Sequence, residues 1–170
     1  MGLPGRSSRD VYRWTDRCRT RQACSLIDRM KEFLDTSVLI AAFWGGHIHH
    51  APSLKLLASA GKKRSACGIH TLAEVYAVMT VLPVKPAIPP EQVMLFVEEI
   101  RKRLTVVSLD EEEYFEAIGS AAQRGFTSGR VYDALLLRCA AKAKAQTIFT
   151  WNLKHFRAIA PELGDRMRAP

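Results

Sequence analysis

The sequence predicts one α/β domain, a three-layer sandwich of helices around a mainly parallel sheet of four or five strands. Three observations predict it. Short apolar segments alternate with longer segments of helical period. Gly and Pro punctuation separates them. The 170 residues, 48% hydrophobic and 25% charged, suit a single domain with a sizeable core.

From Met30 the pattern is regular. Residues 31–34 read as a strand ending at Asp35, and 36–43 as a helix closed by the Gly45-Gly46 break. Residues 52–60 form a second helix, stopped by Gly61, and 65–69 a second strand. Residues 71–82 read as a helix, with Ala73, Ala77, Val78 and Val81 at helical spacing. Four prolines between Pro83 and Pro90 make that stretch a loop. Pro90 then opens a helix through Arg103, because a first-turn position needs no N–H. Residues 104–108 are a β-branched strand. Asp110 caps a helix to about Gln123, with Glu111, Glu112 and Glu113 in its first turn, a solvated start that suits the helix dipole. Residues 130–144 form a helix, 147–150 the last strand and 153–156 a short helical turn. The domain spans 30–158, and 159–170 reads as a C-terminal tail. Such alternation covers a parallel sheet on both faces and puts sites at the carboxyl ends of the strands.

Residues 1–29 differ from the rest. They hold seven arginines, three aspartates and no lysine, net +4 of the chain's +8. They read as a basic, poorly ordered extension; a true start at Met30 and a basic arm touching RNA stand beside that reading. The positive surplus suits a polyanion, of which nucleic acid is the commonest. No apolar run approaches the roughly 18 residues of a membrane span. The N-terminus has no apolar stretch of the signal-peptide kind, so a cytoplasmic protein with no membrane partner is expected. Cys18, Cys24, Cys67 and Cys139 form no CxxC pair and no zinc spacing. They are expected as reduced thiols, with Cys67 and Cys139 in the core.

Three acids stand where ordinary core design would put apolar residues. Asp35 ends the first strand within the apolar run FLDTSVLIAAFW. A buried aspartate is costly unless paired or bound to a cation; capping the next helix is the other reading, and Thr36 or Ser37 can cap it as well. Glu74 is followed by Ala77, Val78 and Val81 at i+3, i+4 and i+7, so it lies on an apolar stripe. Asp133 is followed in the same way by Leu136, Leu137 and Ala140. Both acids open helices, where the dipole favours anions. Three carboxylates brought to one sheet end repel each other, and a shared hard cation, Mg²⁺ or Mn²⁺, removes that cost. Asp35 and Asp133 are the direct metal ligands expected; Glu74 binds directly, binds through water or takes a proton. Asn152, after the last strand, accepts a metal-bound water, orients an acid, or caps the turn that follows.

FLDTSVLIAAF, TLAEVYAVMT and GRVYDALLLRCAAKAKAQTIFTWNLKHF, in that order, resemble the PIN domain, most closely the VapC-type toxins of toxin–antitoxin pairs. The resemblance covers about residues 31–156. It implies a PIN-like sandwich and Mg²⁺- or Mn²⁺-dependent cleavage of RNA, with Asp35, Glu74, Asp133 and Asn152 as the catalytic set. Many members have Asp where this chain has Asn152, which favours one metal over two tightly held ones. Thr36 and Thr150 match polar residues that support the acids. A cognate antitoxin and a homodimer are the partners it implies.

Arg130, Lys154 and His155 are the basic residues nearest the acids in sequence, read either as RNA-backbone contacts or as solvated surface charges. The His47-Ile48-His49-His50 stretch, without an acidic partner, reads as a surface or RNA-facing loop rather than a metal site. Trp44 and Trp151 read as packing residues, with base stacking the other reading. Three competing functions stand: a phosphatase with Asp35 as nucleophile, a non-catalytic RNA-binding module, and an interaction protein whose acids attract a basic partner. In the first, haloacid-dehalogenase-like enzymes carry a second Asp where this chain has Ser37.

Overall fold

The computed structural model describes residues 30–170. The expectations for residues 1–29, Cys18 and Cys24 included, lie outside the described residues. Strands β1 (Glu32–Leu34), β2 (Ser65–Gly68), β3 (Thr105–Val107), β4 (Thr147–Phe149) and β5 (Met167–Arg168) form one sheet in the order β3-β2-β1-β4-β5. Every pairing is parallel. The helices are α1 (Thr36–Phe43), α2 (His50–Ser59), α3 (Ile69–Thr80), α4 (Pro90–Arg103), α5 (Glu111–Gln123), α6 (Arg130–Lys142) and α7 (Leu153–Ile159).

The strand period of two builds the three layers. Phe33, Ala66 and Ile148, side by side in the register, enter a core with Ala121 of α5, Leu137 of α6 and Phe156 of α7. Their neighbours Leu34 and Cys67 point to the other face, into a core with Leu39 of α1, Leu57 of α2, Val75 of α3 and Ile100 of α4. Cys67 and Cys139 are buried free thiols, as expected. Gly68 lets α6 lie close to the end of β2. A Cβ there would stand 2.6 Å from Leu136 Cδ2.

Caps explain which helices were readable. Asp110 accepts from the Glu113 backbone while Glu113 Oε2 accepts from the Asp110 N–H, a reciprocal box. Pro90 stands at the first position of α4. α2 starts two residues earlier than predicted, at His50, with no side-chain cap on His49 to mark the place. α6 stops at Lys142 rather than Lys144, which takes a left-handed backbone at φ 51°.

Two expectations are corrected. The stretch 159–170 is not a tail beyond the domain. It forms a 3-10 turn, Pro161–Arg166, and then β5, which pairs with β4 and buries Leu163 and Met167. α3 starts at Ile69, so Glu74 falls in its second turn. Its buried face is Thr71, Val75 and Met79, and the predicted stripe of Ala77, Val78 and Val81 faces outward, with Val81 77% exposed. For α6 the stripe was read correctly: Leu136, Leu137 and Ala140 are buried.

Among the described residues no helix is long and apolar enough to cross a membrane. The chain runs outward from β1 to β2 and β3, then returns to β4 on the other side of β1. The strand order therefore reverses between β1 and β4. A crevice opens at the carboxyl ends beside such a reversal.

Candidate active site

Asp35 sits at that reversal. It follows β1, its backbone N–H bonds Phe149 O of β4, and it is only 2% exposed. Three hydrogen bonds hold its Oδ2. Ser37 Oγ donates at 2.6 Å, Thr150 Oγ1 from the end of β4 at 2.8 Å, and the Ser37 N–H at a long 3.4 Å. The last is the helix-capping bond, and it is the weakest of the three. The side chain is thus held by hydroxyls from α1 and from just past β4. Burial pushes its pKa up, against the pull of these hydrogen bonds.

Glu74 comes in from α3. Thr36 Oγ1 donates to its Oε2 at 2.7 Å and lies 3.3 Å from Thr71 Oγ1. A hydroxyl, rather than an apolar face, turns this carboxylate to the site. Burial raises its pKa, Thr36 opposes the shift, and the Asp35 charge adds to it. Asp133 stands in the first turn of α6. It accepts no hydrogen bond among the described residues. Burial first, then the charges of Asp35 and Glu74, push its pKa up to about 7, with Arg130 pulling the other way.

The three acids therefore share one electrostatic neighbourhood. Among the described residues, none has a Lys, Arg or His within ion-pair distance. Carboxylate oxygens without cationic partners are the donor chemistry of a hard divalent ion. As placed, no group of three His, Cys, Asp or Glu among the described residues could hold a metal ion. The donor set still fits, because Mg²⁺ keeps several waters and takes only one or two carboxylates directly.

The remaining predicted residues divide. Thr36 and Thr150 both bond an acid. Arg130 lies near Asp133 but is exposed, its guanidinium 5.9 Å from the Phe126 ring centroid. Asn152 stands at the correct sheet end. Its backbone N–H donates to Thr150 Oγ1, and its side chain neither caps α7 nor bonds an acid. Lys154 and His155 are exposed on α7 with no contact to the acids. Sequence reasoning missed Ser37 and Thr71 as members of the site. Ser37 is a junction: its Oγ donates to Asp35 and accepts from the Trp151 N–H at 3.0 Å. The only signal for it is the run of hydroxyls directly after Asp35.

Comparison with known proteins agrees with this construction. The PIN domain model matches residues 33–160, and the chain belongs to the PIN domain family. PIN domains are generally nucleases and typically use divalent metal ions. The fold is similar to a chain in the crystal structure of VapBC2 from Rickettsia felis bound to a DNA fragment from their promoter. Identity is 22% and the TM-score 0.55, over 82% of this chain and 98% of that one. No curated protein matches.

Proposed function

We propose that this chain is a metal-dependent endoribonuclease, the toxin of a toxin–antitoxin pair. The observation that carries the proposal is the shared electrostatic neighbourhood of Asp35, Glu74 and Asp133, from three separate elements at the sheet's reversal, with no Lys, Arg or His within ion-pair distance among the described residues. In this reading Asp35 and Asp133 hold one Mg²⁺ or Mn²⁺ directly. Thr150 and Ser37 fix the orientation of Asp35 by holding Oδ2. Thr36 does the same for Glu74, which completes the site through water and is placed to take a proton. When bound, the cation supplies Lewis acidity that makes water nucleophilic near neutral pH and offsets charge on the phosphoryl oxygens. Asn152 adds no charge, which favours a single tightly held ion. Arg130 lies nearest the acids for a phosphate contact; Lys154 and His155 extend that basic edge along α7.

The phosphatase alternative fits poorly. A nucleophile must reach its substrate, and Asp35 is 2% exposed with Oδ2 held by three donors. The partners proposed are RNA, a cognate antitoxin and a second copy of the chain, in the cytoplasm. The VapBC2 complex supports the antitoxin. Exposed apolar side chains on α3 and α4, Val78, Met94 and Leu95 among them, offer surface for a protein partner.

Purified protein should cut a structured RNA with Mg²⁺ or Mn²⁺ present and stop when EDTA is added. Asp35→Asn and Asp133→Asn should each lower the rate at least about 100-fold, the scale of losing one electrostatic stabiliser, with the circular dichroism spectrum unchanged. Full wild-type cleavage in EDTA would remove the metal mechanism.

A further inference from the structure

The amino end of the sheet carries the opposite charge. An open cavity of about 580 Å³ lies there, between the loop before β2, the last turns of α4 and the start of β3. Lys62, Arg101 and Lys102 line it, beside Leu104, Thr105 and Val106, and Glu98 is the one acid among its lining residues. Small-ligand pockets span about 300–1,000 Å³, so the cavity has room for a ligand.

Its cations are treated differently from their neighbours. Arg64, two residues after Lys62, is paired with Glu32 at 2.7 Å, and Arg103, next to Lys102, is paired with Glu99. Lys62, Arg101 and Lys102 have no carboxylate within ion-pair distance among the described residues. All three are exposed. The negative end of the α4 dipole suits basic residues in its last turn. It does not account for Lys62, which the loop brings in. That loop is fixed: Thr105 Oγ1 donates to Lys62 O at 2.7 Å, and the Arg64 N–H to Gly61 O at 2.9 Å. Arg103 ties α4 to the same region through Ala58 O at 3.2 Å. The backbone frame is therefore preformed, while the three charges it gathers repel one another.

We propose that this cavity binds at least two adjacent phosphate groups of one ligand through Lys62, Arg101 and Lys102. The lining carries a surplus of two positive charges, which one monovalent anion does not balance. Adjacent phosphates concentrate several charges in a small volume, whereas an acidic peptide brings one charge per side chain, spaced along its backbone. The planar fork of Arg101 matches phosphate oxygens two at a time, and the lysines supply compact charges. Two sources carry such groups, a free nucleoside polyphosphate and the backbone of an RNA. The acids at the far end of the sheet take no part in this binding.

The test titrates inorganic triphosphate into the full chain by calorimetry. EDTA is present, so that no metal ion bridges phosphate to the acids. Wild type should bind triphosphate saturably. Lys62→Ala and Arg101→Ala should each weaken binding about ten-fold or more, the scale of a lost charge-assisted hydrogen bond. Glu98→Gln should tighten it about three-fold by removing the opposing charge, a gain that damage to the fold would not produce. Lys55→Ala, an exposed lysine outside the cavity, should change nothing. Labelled RNA on a chain carrying Asp35→Asn separates the two sources. Displacement of the RNA by triphosphate, with weaker RNA binding once Lys62→Ala is added, assigns the RNA backbone. Triphosphate that binds without displacing the RNA assigns a free nucleotide. The proposal is overturned by no saturable triphosphate binding, by binding unchanged in Lys62→Ala and Arg101→Ala, or by tighter binding of a glutamate-rich peptide.

Discussion

The two ends of strand β1 treat a carboxylate differently. Glu32, at the amino end, is paired with Arg64 at 2.7 Å and accepts from Ser65 Oγ at 2.7 Å. Asp35, just past the carboxyl end, is more deeply buried and, among the described residues, receives hydroxyls and backbone N–H groups but no cation. Glu113 repeats the first arrangement with Lys142 at 2.5 Å, whereas Glu74 receives a hydroxyl and Asp133 accepts no hydrogen bond among the described residues. An acid with a fixed cation beside it belongs to the fold. An acid buried among hydroxyls and other acids carries an electrostatic cost that the fold alone does not relieve. In the proposed reading, a cation supplied from solution relieves that cost. The open cavity of about 580 Å³ lined by Lys62, Glu98, Arg101 and Lys102 lies by the start of β3, at the other end of the sheet from these acids.

The largest effect that sharpens this contrast is on stability in the absence of metal. Asp133 has its pKa raised in the folded chain to about 7 from an ordinary 3.8, by burial and then by Asp35 and Glu74. Its protonated form is the one the fold favours. The stability it contributes is therefore complete below about pH 4 and lost as pH rises through 7. The loss is on the order of 2 kcal/mol, after allowance for screening of a partly open group. Melting temperatures in EDTA should show wild type losing stability relative to Asp133→Asn across that interval, with Mn²⁺ closing the gap. Parallel pH profiles for the two proteins would show that Asp133 carries no such strain.

A smaller effect isolates the hydroxyls. Thr150→Val removes one donor to Asp35 and the acceptor of the Asn152 N–H. Losses of this supporting kind cost about 10- to 100-fold in metal affinity or activity. Cleavage should fall by about ten-fold while Thr150→Ser, which keeps the hydroxyl, stays near wild type. Equal loss in both variants would assign Thr150 to packing.

The same contrast explains what was legible in the sequence. Alternating apolar segments and explicit caps made the sheet-and-helix order readable, because each is a local signal. Asp110 with Glu113, and Pro90, marked their helices to the residue. β5 was not readable: two residues have no period, and only the packing of Leu163 and Met167 makes them part of the sheet. The α3 stripe misled, because a helix with apolar residues on both sides does not say which side meets the core. Thr71, Val75 and Met79 face inward while Val78 and Val81 stay exposed. Glu74 was singled out through that mistaken stripe, yet it reaches the acids through Thr36. The acids themselves were visible as charges in apolar surroundings. Ser37 and Thr71 were not, since a hydroxyl at a helix start looks the same whether it caps a helix or holds a carboxylate.

In the proposed reading, the acids at the carboxyl end of the sheet, with no cation in ion-pair range among the described residues, form a cation site, and Glu32, paired at the amino end of β1, does not. Calorimetric titration with Mn²⁺ near neutral pH tests it most directly. Wild type and Glu32→Gln should bind Mn²⁺ alike, and Asp35→Asn and Asp133→Asn at least about ten-fold more weakly. Undiminished Mn²⁺ binding by Asp35→Asn, or a loss of binding confined to Glu32→Gln, would contradict it.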